Sequence, residues 1–566
     1  MFVTRLLVKY LRKALARPLY RKFAAFELAC QQPQAVQQEL LQQILFRNRD
    51  TAFGHDHHFA SIKTVSDFRQ HVPIHEYEQL HPYIQRVMNG ETSALLAEPA
   101  LMFALTSGTT ANRKHIPITA TYIKDYQHSW NLWGLQAIRE HRQIFLKPIV
   151  QLVGDADEYR TEADIPCGNL SGFTAQCQRK IMRWMYAVPA ATGKIKDPTA
   201  RMYVAVRGGL KKPLGMLMSA NPSTLVNLAR MMNDRKEDLI RDIADGTLNA
   251  RLDIPNSIRD KMLRRWKPNP KRAKQLESYV SQAGVLYPKD AWPAEKLLIG
   301  CWTGGTVRAY LRQLEQYYGD APVRDLGLLA SEGRMSIPIE DGKSGGILDV
   351  TTHFYEFIPE SEINSSQPII LQPHELKMGE NYFILPTTKS GLYRYHICDL
   401  VRVTDFFHQT PIIEFVGKGS RFSNITGEKL SEHQVTASVD HLVTQLPQSV
   451  RAYAVAPIWD AQQPYYGFYI EEQDARDPEL LRKFIIALDT ELQRRNIEYQ
   501  AKRESLRLGP LQAVVINNGA WHDWDLHRVR KTGGSVEQYK HPCLIGDLEF
   551  ANQMKAVEIL QNKSAA

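Results

Sequence analysis

The stretch LTSGTTANRKHIPIT, Leu105 to Thr119, sets the hydroxyls of Thr106, Ser107, Thr109 and Thr110 around Gly108, just ahead of Arg113 and Lys114. Short hydroxyl side chains and backbone N–H groups surround phosphate oxygens well. A glycine lets the backbone come close, and a lysine adds a mobile point charge. The composition therefore points to an anion, phosphate first. The spacing is not that of a Walker loop, which needs a second glycine directly before the lysine; here Asn112 and Arg113 stand there. Taken alone, the stretch is also ordinary loop chemistry, a polar turn between strands. ALMFAL before it reads as a buried strand and KHIPIT after it as a second.

At 566 residues the chain is too long for one simple core, and its length suggests three or four domain-sized units. A net charge of +9 suits anionic small substrates as well as nucleic acid, so it decides little. The six cysteines are scattered without a C-x-x-C pair, which argues against a zinc ribbon or a dense disulfide scaffold and makes a reducing cytoplasm the simplest setting. In the N-terminal MFVTRLLVKYLRKALARPLYRKF, Arg5, Lys9, Arg12 and Lys13 interrupt every apolar run, so neither a signal-peptide core nor a spanning helix fits. Phe2, Leu6, Leu7, Leu11 and Leu15 recur at helical spacing. That pattern reads first as an amphipathic helix docked on the protein's own body, and second as a weak membrane-surface helix.

AVQQELLQQILF predicts a helix over 35–46. The middle of the chain, 120–282, is mostly helical by periodicity, broken at SANPST and KPNPKR. From Lys296 the texture changes. KLLIGCWTGG is an apolar strand ending in glycines, TVRAYLRQLEQYYG a helix and PVRDLGLLASEG a strand running into a small-residue turn. This order predicts a mainly parallel sheet with sites at the strand ends. NYFILPTTKSGLYRYHICDLVRVTDF alternates like hairpins, and FVGKGSRF is a hinge or linker before a second unit that mixes strands with the helix PELLRKFIIALDTELQRRN.

Taken in order, TSGTTANRK, LGLLASEG, GLYRYHICDLVRV, FVGKGSRFSNITGEKLSE and VEQYKHP resemble the successive motifs of adenylate-forming enzymes, the superfamily of luciferase and the acyl-CoA synthetases. ITGEKLSE and QYKHP, with ILFRNRDTAFG and CWTGGTVRAYLRQL, narrow the resemblance to the acyl acid amido synthetases of the Gretchen Hagen type, auxin-responsive in plants and also found in bacteria; a bacterial member is expected. The resemblance implies an α/β fold: a large N-terminal domain with a β-barrel and two α/β subdomains over 1–417, a hinge at 418–421, and a smaller mobile α/β C-terminal domain over 422–566. It also implies an ATP-dependent ligase that adenylates a carboxylic acid, releases pyrophosphate and passes the acyl group to an amine, an amino acid in the typical case. ATP and Mg²⁺ are the cofactors expected, with no nucleic-acid partner and membrane contact only through the basic N-terminal helix.

Residue by residue, Ser107, Gly108, Thr109, Thr110 and Lys114 match the phosphate-binding loop, with Ala111 and Arg113 departing from its usual glycine and proline. Glu332 matches the acidic residue that holds magnesium, a hard cation suited to carboxylate oxygen, and Ala330 and Ser331 approach the adenine or the acid. Asp399 matches the aspartate that accepts from the ribose hydroxyls; Arg394 and Arg402 support it or reach phosphate. Thr303, Gly304 and Gly305 match a turn lining the nucleotide pocket, and Lys418 lies in the hinge motif on the ATP side. Lys540 matches the C-terminal lysine that reaches the site. Against each stands a plainer reading: a capped turn at Glu332, a salt-bridged hairpin at Asp399, a strand-to-helix turn at Thr303, a solvated lysine at 540. HDHHF and WHDWDLH tempt as metal sites and are read as packing. The competing functions are transfer of the same adenylate to a thiol, coenzyme A or a carrier protein, and a non-catalytic nucleotide-binding relative.

Overall fold

The two apolar runs that flank the hydroxyl-rich loop are strands, Ala100–Thr106 and Lys114–Thr119, paired antiparallel from Ala100 opposite Thr119 to Thr106 opposite Lys114, so Lys114 stands at the open end of the pair, next to the loop. This computed structural model describes residues 18, 20–106, 113–178, 180–305, 310–363, 365, 367–418, 422, 423, 425, 426, 428, 430–460, 463–504, 507–532 and 540–560. The expected N-terminal amphipathic helix lies almost wholly outside them. Directly after the second strand, Thr119 caps the helix Ala120–Glu140 by accepting from the Tyr122 N–H, and that helix buries Tyr122, Tyr126 and Trp133.

The predicted parallel sheet is present. Its strands Ile149–Gln151, Met216–Met218, Leu298–Cys301 and Val323–Asp325 pair in that order, all parallel. They are short and apolar because helices bury them. SANPST and KPNPKR are helix starts rather than mere breaks. Asn221 and Asn269 accept from backbone N–H groups of the helices Pro222–Asp234 and Pro270–Ala283, each with proline in its first turn, where a missing N–H costs nothing.

From Ser336 onward the chain builds a six-stranded antiparallel sheet, in the order Phe354–Pro359, Asn381–Thr387, Asp399–Phe407, Thr410–Lys418, Gly346–Leu348, Ser336–Ile337. It stands where a β-barrel was expected, and its two end strands have no pairing with each other among the described residues. The C-terminal part has its own mixed sheet of Tyr453–Ile458, Tyr465–Glu471, Gln512–Ile516 and Ala556–Leu560. Tyr453 and Val455 pack one way, with the helices Glu432–Val443 and Pro478–Arg495; Ala454 and Ala456 pack the other way, with Trp521 and Phe550. The fold is mixed α/β with a large N-terminal and a smaller C-terminal domain. No helix among the described residues is long and apolar enough to cross a membrane.

Burial holds several histidines neutral. His75 is 4% exposed and bonds through Nδ1 to the Tyr393 carbonyl; burial brings its pKa down to about 4. His353, 3% exposed, comes down to about 3, again through burial. Because both folded values lie below the unfolded value near 6.5, the unfolded chain takes up protons first as pH falls. Their stabilising contribution is complete above about pH 6.5 and is lost as pH falls from there to about 4 for His75 and about 3 for His353. Each histidine is expected to add about 1.4 kcal/mol per pH unit to the slope of unfolding free energy in that window. Urea unfolding of the protein at pH 7, 6 and 5 should show the decline, and His353→Gln should reduce the slope by about one such increment.

Candidate active site

ASEG folds into a tight turn. The Ala330 N–H donates to the Gly333 carbonyl at 2.9 Å and the Gly333 N–H back to Ala330 at 3.3 Å, with Leu329 and Arg334 bridged behind. Gly333 makes this possible, since a Cβ there would collide with the buried His353 ring beneath. Glu332 is carried at the tip of the turn, 6% exposed. The Tyr122 hydroxyl donates to the Ser331 carbonyl at 2.9 Å, so the first turn of the helix Ala120–Glu140 holds the acidic turn in place.

Lys114 reaches toward the same place. Its Nζ donates to the Tyr395 hydroxyl at 3.4 Å and lies 5.4 Å from the Tyr77 ring centroid. The Tyr395 phenol is pushed far up by burial and then by the negative charge of Glu332. Lys114, Tyr395 and Glu332 thus form one electrostatic group, a cation and an anion joined through a phenol. Ser107, Gly108, Thr109 and Thr110 lie outside the described residues, and Arg113, beside the loop, is engaged by Glu158 at 2.7 Å.

A second group forms where the parallel strands end. Thr303 donates its N–H and its hydroxyl to Asp325 Oδ2, at 2.8 and 2.5 Å, and Gly327 N–H donates to Oδ1. Gly304 and Gly305 then lie against the strand Thr410–Lys418 at Phe415, with Gly305 at φ +65, where a side chain would meet the Phe415 ring. Trp302 donates Nε1–H to the Gly327 carbonyl at 3.1 Å. Lys540 arrives from the C-terminal domain. Its Nζ lies 4.3 Å from the Trp302 ring centroid and 4.0 Å from that of Phe415, two cation–π contacts beside the glycine turn. His541 anchors this approach, bonding Asp525 through Nδ1 at 3.0 Å and the Tyr453 carbonyl through Nε2 at 3.0 Å.

Asp399 is 4% exposed and begins a strand, paired in register with Lys418, whose side chain lies outside the described set. Cys398 before it sits at φ +62, an uncommon conformation for a side-chain-bearing residue. Arg402 is not brought to this cluster. Three residues along the pleat, it donates Nε–H to Asn381 Oδ1 at 2.9 Å and helps depress the pKa of His433 in the C-terminal domain to about 4, where burial is the larger cause. Arg394 is spent on structure, paired with the wholly buried Glu356 at 2.7 Å and donating to the Val72 carbonyl.

Sequence reasoning missed Asp325, Tyr395, Trp302, Phe415 and Tyr122. Tyr395 lay inside a quoted motif without a role; Asp325 and Phe415 carried no local signal. The histidine-rich stretches are packing. The His57 ring stacks on Phe53 at 4.0 Å, and Asp525 of WHDWDLH serves His541. Glu140, His141 and Asp341 are the one grouping with metal-ligand geometry among the described residues, and Arg324 ties it into ion pairs with Asp341 and Glu140.

A model of the GH3 family N-terminal domain matches residues 22–323, one of the GH3 family central domain matches 346–418, and one of the GH3 family C-terminal domain matches 432–549. The jasmonoyl–L-amino acid synthetase JAR4 of Nicotiana attenuata is 23% identical over 540 residues, covering 92% of each chain. The indole-3-acetic acid-amido synthetase GH3.10 of Arabidopsis thaliana is 25% identical over 516 residues, 84% of this chain and 85% of that one. The structure of AtGH3.15 acyl acid amido synthetase in complex with 2,4-DB superposes with a TM-score of 0.84 at 20% identity, over 96% of this chain and 98% of that chain. Both named relatives are plant proteins and lend no support to the expected bacterial source. The first of the three domain models alone spans more than half of the sequence, and the other two follow it in order: the chain belongs to the GH3 family.

Proposed function

We propose that this chain adenylates a small carboxylic acid with ATP and transfers the acyl group to the amine of an amino acid. The observation that carries the reading is the placement of Lys540, from the far end of the chain, over Trp302 and Phe415 at the Thr303–Gly305 turn. A solvated surface lysine would have no reason to be there. The names of the relatives, synthetases that join jasmonate or indole-3-acetate in amide linkage, support the same chemistry.

A carboxylate is a poor electrophile, whereas its mixed anhydride with AMP has a good leaving group. In the first step a carboxylate oxygen attacks the α-phosphorus and the bond to pyrophosphate breaks. In the second, the amine nitrogen attacks the acyl carbon and AMP departs with the electron pair. Holding acid and ATP side by side makes the first step effectively unimolecular. In this reading Asp399 accepts from the ribose hydroxyls, Thr303, Gly304 and Gly305 offer backbone to the nucleotide, and Ala330 and Ser331 face the reacting acid. Lys114 and the hydroxyls of the 107–110 loop hold the phosphates, and Lys540 balances charge growing on the carboxylate and the α-phosphate in a partly water-excluded site. Lys418 supports the nucleotide from the domain junction at 418–421, about which the C-terminal domain turns between the steps; Arg402 reaches phosphate only after such a movement. Magnesium fits the donor set: one buried carboxylate, Glu332, whose charge acts on the Tyr395 phenol that Lys114 contacts, with the remaining ligands left to phosphate and water, as this ion prefers. When bound, it would neutralise phosphate charge. A cytoplasmic setting agrees with six cysteines that are all free thiols.

Glu332→Ala should lower acid-dependent pyrophosphate release by about 10²–10³-fold with an unchanged circular dichroism spectrum; full activity would remove Glu332 from the site. Lys540→Ala should slow acyl-adenylate formation by about the same factor. Supplied with preformed acyl-adenylate, that variant should still form amide at a near-normal rate, and equal loss in both half-reactions would count against a lysine serving one step. Mass spectrometry should find an amide formed one-for-one with AMP. A coenzyme A thioester as sole product would reassign the acceptor.

A further inference from the structure

Arg334 follows Glu332 by two residues and is 1% exposed. Its Nε, Nη1 and Nη2 have no hydrogen-bond partner among the described residues. Other buried arginines each make hydrogen bonds or ion pairs, with single nitrogens, Arg324 Nη1 and Arg207 Nε, left over. Arg394 pairs with Glu356, Arg324 with Asp341 and Glu140, Arg207 donates to the Asp242 carbonyl, and Arg272 to the carbonyls of Leu210 and Ala291. The two carboxylates close enough to act on Arg334 electrostatically are already engaged. Asp349 accepts from Ser129 and Thr351, and Asp325 from Thr303 and Gly327. Burial lowers the guanidinium pKa to about 10, so it stays charged at neutral pH. A buried charge with idle donors is costly and is kept where something pairs with it.

The surroundings say what that partner looks like. The Arg334 guanidinium carbon lies 4.0 Å from the Trp130 ring centroid. Trp130 belongs to a row of aromatic rings on the helix Ala120–Glu140 and also meets Trp133 edge-on at 5.5 Å. Tyr122 and Tyr126 stack at 5.9 Å, and Tyr126 and Trp130 meet edge-on at 6.4 Å. The row begins where the Tyr122 hydroxyl holds the Ser331 carbonyl beside Glu332. Eight residues of helix separate its ends by about 12 Å. An apolar wall thus runs from the acid-activating turn to a guanidinium whose fork suits a carboxylate.

We propose that the acid substrate carries a second carboxylate, that Arg334 pairs with it, and that the spacer between the two carboxylates lies along Tyr122, Tyr126 and Trp130. The inference rests on the reading that Ala330 and Ser331 face the reacting acid. The test uses the full chain and matched acids, adipate against hexanoate and the longer sebacate against decanoate, in ATP–pyrophosphate exchange and in calorimetric binding without ATP. The wild type should favour the diacid of at least one pair by tenfold or more in kcat/KM. Arg334→Met should bring that ratio down to about one, mainly through KM, and Arg334→Lys should restore part of it. The melting temperature of Arg334→Met without ligand should equal or exceed that of the wild type, since an unpaired buried charge has gone. A wild-type ratio near one in both pairs, a ratio unmoved by Arg334→Met, or a lowered melting temperature overturns the proposal. Loss of mono- and diacid exchange in equal measure assigns Arg334 to the reacting carboxylate and leaves the activation reading standing. Diacid binding that depends on Arg334 without any exchange leaves Arg334 as a carboxylate receptor and sinks the activation reading instead.

Discussion

The carboxylate of Asp325 ties the site together. Both oxygens are in use, one accepting twice from Thr303 and the other from the Gly327 N–H. These bonds join the ends of two neighbouring parallel strands, Leu298–Cys301 and Val323–Asp325. Burial alone would favour the neutral acid and raises its pKa, while the three donors pull toward the charged form. Because Thr303 is pinned this way, the glycines after it lie on Phe415. Because Trp302 donates to the Gly327 carbonyl, its ring is held as the platform that Lys540 meets. A single buried acceptor thus sets both the Thr303–Gly305 turn and the landing place of a lysine from another domain.

The chain treats its buried charges in two ways. Glu356, wholly buried, lies between Arg69 and Arg394, each within 2.7 Å, and Arg394 also closes the Val72 carbonyl. That network clamps the segment after Gly391 onto the N-terminal helices. It explains why an arginine in a nucleotide motif serves packing, since removing one partner would strand the other in low dielectric. Arg334 has the same burial with no hydrogen-bond partner among the described residues. The contrast is what the proposed ligand role of Arg334 rests on, and residue type alone does not carry it.

One helix links the hairpin of Lys114 to the turn of Glu332. Ala120–Glu140 follows directly from the hairpin that carries Lys114, and its first turn holds Ser331 through Tyr122. The same helix then carries Tyr126 and Trp130 toward the Arg334 guanidinium, one and two helical turns beyond the contact with Ser331.

Much of this was legible in the amino-acid sequence. The hairpin around 105–119, the helix over Ala35 to Phe46, the parallel strands near 298 and 323, and the ordered motifs that lead to an acyl-adenylate were all readable. Each rests on information spanning a few residues, such as apolar period, caps, small-residue turns and motif wording. The family followed from five motifs in order. The partnerships were decided only by tertiary structure. Asp325 meets Thr303 across two strands, Tyr122 meets Ser331 across some 200 residues of chain, and Lys540 meets Trp302 across two domains. Arg394 and Arg334 look alike in sequence, and only the position of Glu356 makes one a brace and leaves the other without a hydrogen bond among the described residues. Such contacts depend on where distant elements pack, and the long-range balance of burial against pairing that fixes them is not written at any single site along the chain.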